Sequence, residues 1–477
     1  MKLARNTLLN LFGLGAPLFV AAISIPILID VLGAPRFGLL TLMWAVVSYF
    51  GLLDLGLGRA LTQQLSVMLA RGSVDEVGPV VGTACLMMTV LGLAAGLALA
   101  LLTPWGVGQI SGVPDRAETV VAMLAMACAV PAVVVTSGLR GILEAQHAFG
   151  LINMIRVPLG IFTFVGPLAV ASWFGPRLDW IAAALLAVRL AALLAHLTAA
   201  ARTLPAARSG LAPKRRYLRP LLMAGGWLTL GNLIGPLIGY ADRFIIAATV
   251  SASAVASYAT AHELVTKLWI VPAALTAVLF PTFAAATASS GTHSWSLAMQ
   301  GVRWVYAALL PLTLALALYA QEVLATWISP DFAIGSAPIL RLMAIGIFIN
   351  CLAHVPLTLL QGAGRARAPA LLQAVQVLPY IALMWWAAHS HGLIGAALLW
   401  LARMVLDTAL MFALCARAHG GEGALRPSIR TTAAVLLAAA AFGLPFADVD
   451  PWLRGLAWTV GSVGVALLLR PWRTQAA

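Results

Sequence analysis

LLNLFGLGAPLFVAAISIPILI occupies residues 8–29. It carries no charged side chain over a length that, at 1.5 Å per helical residue, covers the roughly 30 Å hydrocarbon core of a bilayer. The stretch is too long for a signal-peptide core and ends at Asp30 without a small-residue cleavage motif, so it reads as a retained first transmembrane helix. The same pattern recurs down the chain. Apolar windows between glycine, proline and charge clusters give about fourteen candidate spans. They fall at 8–29, 37–58, 78–102, 118–139, 151–174, 180–201, 221–248, 254–283, 303–320, 337–360, 370–388, 392–416, 431–446 and 453–469.

Composition agrees. Of 477 residues, 62% are apolar and 9% charged, against roughly 25% charged in a soluble domain. The expected fold is an all-α polytopic membrane protein, because a β-barrel would need short alternating segments instead. The four cysteines, Cys85, Cys128, Cys351 and Cys415, fall in apolar runs without CxxC spacing, which indicates neither a disulfide framework nor a zinc site.

A formal charge of +13 would suggest nucleic acid in a soluble protein. Here its distribution argues otherwise. With the N-terminus placed in the cytoplasm, the opposite side holds only Arg36, Arg116, Arg177 and Arg454, and most other Lys and Arg residues face the cytoplasm. This is the positive-inside pattern, with both termini cytoplasmic and anionic lipid headgroups as the neighbours of the charge. No nucleic-acid partner is expected.

The basic stretch ARTLPAARSGLAPKRRYLRP, residues 201–220, lies near mid-chain and separates two runs of six spans. The expected organisation is a six-helix lobe over 1–201, a cytoplasmic linker over 202–220, a second lobe over 221–416, and two added helices with a tail over 417–477. GAPLF at 15–19 beside IGPLI at 234–238 hints at a repeat. An even number of helices per half implies lobes related by a pseudo-two-fold along the membrane normal.

Charges inside spans are costly, about 2.5–3.5 kcal/mol each at a helix centre, so each needs a partner or a cavity. Arg156, Arg189, Arg243, Lys267, Arg341 and Arg403 are the bases, and Asp54, Asp242, Glu263 and Asp407 the acids. Arg156 and Arg341 lie near span ends, where snorkelling accounts for them. In span 7, Thr229, Asn232, Pro236, Gly239, Tyr240 and Arg243 recur at steps of three or four and form one polar or small stripe. Glu263 and Lys267 stand four apart on one face of span 8.

Two readings stay open for these charges. Asp242, Arg243, Glu263 and Lys267 form a salt-bridge network locking two spans, or Arg243 and Lys267 present cations to an anion in an aqueous cavity while Asp242 and Glu263 balance them. Asp54, among Gly51, Gly56 and Gly58, reads as close packing, as a cavity lip beside Arg59, or as an ion-coupling carboxylate. The sequence holds no GxxxxGK[ST] phosphate loop, and the outer loops leave little room for a catalytic domain. Neither enzyme chemistry, nor a cofactor, nor a metal is expected.

Two stretches carry a resemblance. NTLLNLFGLGAPLFVAAISIPILIDVLGAPRFGLLTLMWAVVSYFGLLDLGLGRAL and GWLTLGNLIGPLIGYADRFIIAATVSASAVASYATAHELVTKLWIVPAALTAVLFPTF resemble polysaccharide-biosynthesis flippases of the O-antigen type. That family shares a superfamily with multidrug extruders and lipid II flippases. The resemblance implies two six-helix lobes around a cavity in the bacterial inner membrane, moving an oligosaccharide on a polyprenyl diphosphate. It implies diphosphate contacts at Arg243 and Lys267, with Arg59 a further candidate near the entry; Asn232 and Tyr240, on the same stripe as Arg243, are the other expected substrate contacts. Membrane potential, H+ and Na+ stay open as the driving force, and a polysaccharide polymerase is a further expected partner. An ion-coupled drug exporter, a lipid II type flippase and a membrane enzyme of glycan assembly are the competing readings.

Overall fold

The computed structural model describes residues 2–51, 57–71, 74–205, 211–289, 292–365, 367–419, 429–446 and 450–469. Every regular element among them is helical. The chain divides into two compact units, Met1–Ala256 and Ser257–Ala477.

The first unit contains α1 (Lys2–Phe50), α2 (Leu57–Ala70), α3 (Val77–Gln109), α4 (Arg116–Ala145), α5 (Phe149–Phe174), α6 (Leu178–Thr203) and α7 (Leu218–Thr249). The helix α8 (Ala252–Thr266) carries the chain into the second unit. There follow α9 (Ile270–Ser289), α10 (Thr292–Leu318), α11 (Ala320–Trp327), α12 (Pro330–Gly362), α13 (Arg367–His419), α14 (Ile429–Gly443) and α15 (Pro451–Leu469).

Among the described residues, nine helices are long and apolar enough to cross a membrane. Two of them each hold two of the expected windows. Unbroken, the 49 residues of α1 and the 53 of α13 would run about 74 and 80 Å, more than twice the hydrocarbon core. Glycine resolves this. Gly33 has φ 73° and ψ 157°, and Gly392 has φ 60° and ψ −147°. These backbone states disfavour a Cβ, and they divide each helix where the sequence separates its windows. The chain is a multi-pass, all-α membrane protein.

Three short elements escape the window reading. Residues 57–70 form α2, an amphipathic helix anchored where the Thr62 hydroxyl sits 2.9 Å from the Gly58 and 3.1 Å from the Gly141 carbonyl oxygen. Ala320–Trp327 forms α11. Between α8 and α9 the helix tightens into a 3₁₀ turn at Lys267–Trp269, so the expected span 254–283 is not one uniform helix. Their apolar content is too short or too one-sided to reach the length of a span.

Inside a bilayer, burial of apolar area does not drive helix association, and small residues that allow close approach take over. Gly92 and Gly96 form a small-xxx-small step on α3. A Cβ at Gly92 would lie 2.8 Å from Pro131 Cα, and one at Gly96 would lie 2.8 Å from the Ala127 carbonyl oxygen, so α3 and α4 meet nearly backbone to backbone. Leu93, Leu97 and Leu101 point outward on the same helix, as a lipid-facing surface requires.

At the end of α4 that begins with Arg116, three helices meet on one carboxylate. Asp115 caps α4 by accepting the Glu118 amide at 3.0 Å. Glu118 in turn accepts the Leu178 backbone N–H at 2.5 Å, satisfying an orphan donor at the start of α6. It also accepts Arg36 of α1 through Nε at 3.4 Å and Nη2 at 3.3 Å.

Candidate functional site

The opposite end of this helix group holds a half-open cavity of about 410 Å³ within the first unit. Volumes of roughly 300–1,000 Å³ are those of sites that take drug-sized ligands. Its polar lining comes from five helices. Arg140, Thr136 and Ser137 project from α4, Arg156 and Thr163 from α5, Arg189 and His196 from α6, Ser48 from α1, and Tyr240 from α7.

The charge is one-sided. Three guanidinium groups line the cavity, and no acidic side chain does so among the described residues. Arg140 pairs with Glu144 at 3.5 Å, one turn along α4, on a half-exposed surface. Arg189 is more confined: its Nε is buried without a hydrogen-bond partner among the described residues. A buried, unsatisfied cationic donor is costly, and an anion supplies what it lacks. Forked guanidinium donors match phosphate oxygens in paired hydrogen bonds.

His196 is 4% exposed, and its Nδ1 lies 2.8 Å from the Ala192 carbonyl oxygen. A carbonyl only accepts, so Nδ1 carries the hydrogen. Nε2 is then the ring nitrogen left for another partner, on a side chain that lines the cavity.

Tyr240 reaches the cavity, as the stripe on span 7 suggests, but Arg243 is not among its lining residues. Arg243 is 2% exposed and Asp242 is fully buried. The Arg243 guanidinium lies over the Tyr240 ring, 5.4 Å from its centroid. In the second unit, Lys267 Nζ donates to Glu263 Oε2 at 2.8 Å, the pair the four-residue spacing suggests, on a partly exposed face. Arg403 lies 4.9 Å from the Tyr380 ring centroid, and Asp407 accepts Gln376 Nε2 at 3.5 Å. Arg59 lies on α2 and Asn232 on α7, with side chains outside the described residues; Asp54 lies outside them altogether.

The bases that meet in the cavity are therefore not the pair on which the sequence reading rests. Arg156, placed near a span end by the sequence, lines the cavity, and so does Arg140, which the sequence reading counts only among the cytoplasmic charges. One signal was available. Arg189 and His196 are seven apart, two helical turns, and so share a face of α6. The convergence of α4, α5 and α6 has no such trace in one dimension.

The family described as Polysaccharide biosynthesis protein matches residues 3–287. A relative from Shigella flexneri, described as "Putative O-antigen transporter", is 28% identical over 417 residues, covering 86% of this chain and 97% of its own. Two solved structures share the fold. An inward-facing multidrug resistance MATE family transporter of the MOP superfamily aligns with a TM-score of 0.71 at 13% identity, over 86% of this chain and 97% of its own. The lipid II flippase MurJ, in an inward closed conformation, aligns with a TM-score of 0.70 at 10% identity, over 98% of each chain.

Proposed function

Because the chain belongs to the Polysaccharide biosynthesis protein family, we propose that it is a flippase for an oligosaccharide carried on a polyprenyl diphosphate. The single observation that carries this reading is that Arg140, Arg156 and Arg189 line one cavity whose described lining holds no acidic side chain. The diphosphate docks on these guanidinium groups beside Tyr240, and their forked hydrogen bonds offset part of the cost of dehydrating the head group. The prenyl tail stays in lipid. No covalent bond is made or broken, so the protein acts as a transporter and not as an enzyme.

Arg243 supports Tyr240 from behind. Lys267 with Glu263 is proposed as a second cationic contact in the second unit, and Arg59 and Asn232 as further polar contacts for the head group. Asp54 and Asp242 are the proposed balancing or ion-coupling carboxylates, with H+ or Na+ as the coupling ion. The expected setting is the bacterial inner membrane with both termini cytoplasmic, alternating access across lobes 1–201 and 221–416, and a polysaccharide polymerase as partner. An exporter of organic cations would call for an acidic, aromatic cavity, which the three arginines disfavour.

The test is reconstitution in vesicles with a fluorescent polyprenyl-diphosphate-linked glycan, comparing wild type with the Arg156→Gln/Arg189→Gln double variant. Flipping by wild type and its loss in a folded double variant support the reading. Equal flipping by both removes the cavity from the mechanism.

A further inference from the structure

The three arginines account for a fixed positive charge, but His196 has no part in that account. It lies on the same face of α6 as Arg189 and lines the same cavity. Imidazole is the side chain whose charge ordinarily changes between about pH 5 and 8. Because Nδ1–H is committed to the Ala192 carbonyl, the neutral ring presents Nε2 as a lone pair. Phosphoryl oxygens are also acceptors. An anion can face this ring favourably only when Nε2 is protonated.

We propose that His196 is the proton-linked residue of the cavity: when a diphosphate binds, the ring takes a proton from solution and donates Nε2–H to a phosphoryl oxygen. The inference rests on the diphosphate-binding reading of this cavity and adds a regulation to it. The charged and titratable neighbours are Arg140 on α4 with Glu144 one turn on, Arg156 on α5, Arg189 on α6 and Tyr240 on α7. The described lining of α1 adds Ser48, Val47 and Gly51 and no titratable group. The guanidinium groups stay charged throughout the working range and cannot supply the linkage. His196 can.

By reciprocity, a ligand that favours the protonated ring is itself bound more tightly as the pH falls. The probe is the dimethyl diester of diphosphate, which keeps both negative charges across this range, so the ligand contributes no titration. Affinity is measured on the purified full chain from about pH 6 to 8, the interval in which imidazole titrates, with proton release or uptake recorded in weak buffer. The expected result is tighter binding at low pH, by at most about tenfold per unit for one linked proton, and net proton uptake on saturation. His196→Gln should bind with an affinity that no longer changes with pH.

Binding by wild type that is indifferent to pH and takes up no proton overturns the role of His196 while leaving the anion site standing. A pH dependence that persists unchanged in His196→Gln overturns it equally and moves the linkage to another group. Failure of wild type to bind the probe at any pH removes the diphosphate reading and this inference together. Proton uptake by wild type keeps the question decidable even where the Gln variant does not fold.

Discussion

Arg243 holds its guanidinium 5.4 Å from the centroid of the Tyr240 ring, one turn back on α7, and Tyr240 is the member of the pair that lines the cavity. On the proposed reading the cation acts at one remove, through an aromatic ring. Replacing Arg243 by Met leaves the lining charge intact but releases Tyr240. Cation–π attraction is worth about 0.5–2 kcal/mol, so the initial flipping rate in vesicles should fall about 2- to 30-fold. Arg243→Lys should recover much of it.

Arg189 should behave in the opposite sense on stability and on binding. Its Nε is buried without a hydrogen-bond partner among the described residues, so Arg189→Met removes an unsatisfied donor from the empty protein. Thermal unfolding in detergent should shift upward by a few degrees. Hydrogen bonds to charged groups contribute about 1.5–3 kcal/mol, so pyrophosphate affinity, read by calorimetry, should drop about 10- to 150-fold. A stabilised variant that binds normally would exclude Arg189 from the site.

These two residues also show how far the sequence could be read. The helices were legible because lipid demands length and apolar content in each span separately, as residues 8–29 illustrate, and Gly33 and Gly392 lie where separate windows meet. A stripe on one helix was legible too, and Tyr240 of that stripe lines the cavity. Arg140, Arg156 and Arg189 come from three helices, and their meeting depends on the packing of α4 and α5 against α6, which no single-helix pattern records. Charge inside a span signals a cavity or a partner but does not say which, and Arg243 turns out to back an aromatic ring.

Glu118 should prove a stability determinant. Its side chain is 9% exposed and accepts from both Leu178 N–H and Arg36. Glu118→Ala leaves these donors without it, at a cost of about 1–3 kcal/mol, seen as a lower unfolding temperature. Glu118→Gln keeps an acceptor for the Leu178 amide and should lose less.

Glycine substitutions on α3 should separate contact from propensity. Gly96→Leu forces a side chain toward Ala127 and Pro131 and should abolish the monodisperse peak in size-exclusion chromatography. Gly106 has nothing within 4 Å of its added Cβ. Gly106→Ala should be neutral or stabilising by up to about 1 kcal/mol.

Glu118 and Arg140 stand on the same helix, about 33 Å apart at 1.5 Å per residue. One end of α4 is moored to its neighbours through a carboxylate, and the other offers a guanidinium to the cavity. On the proposed reading, a pull on Arg140 by an arriving head group would reach the mooring through the helix backbone, across the gap that Pro131 leaves in its hydrogen-bond ladder.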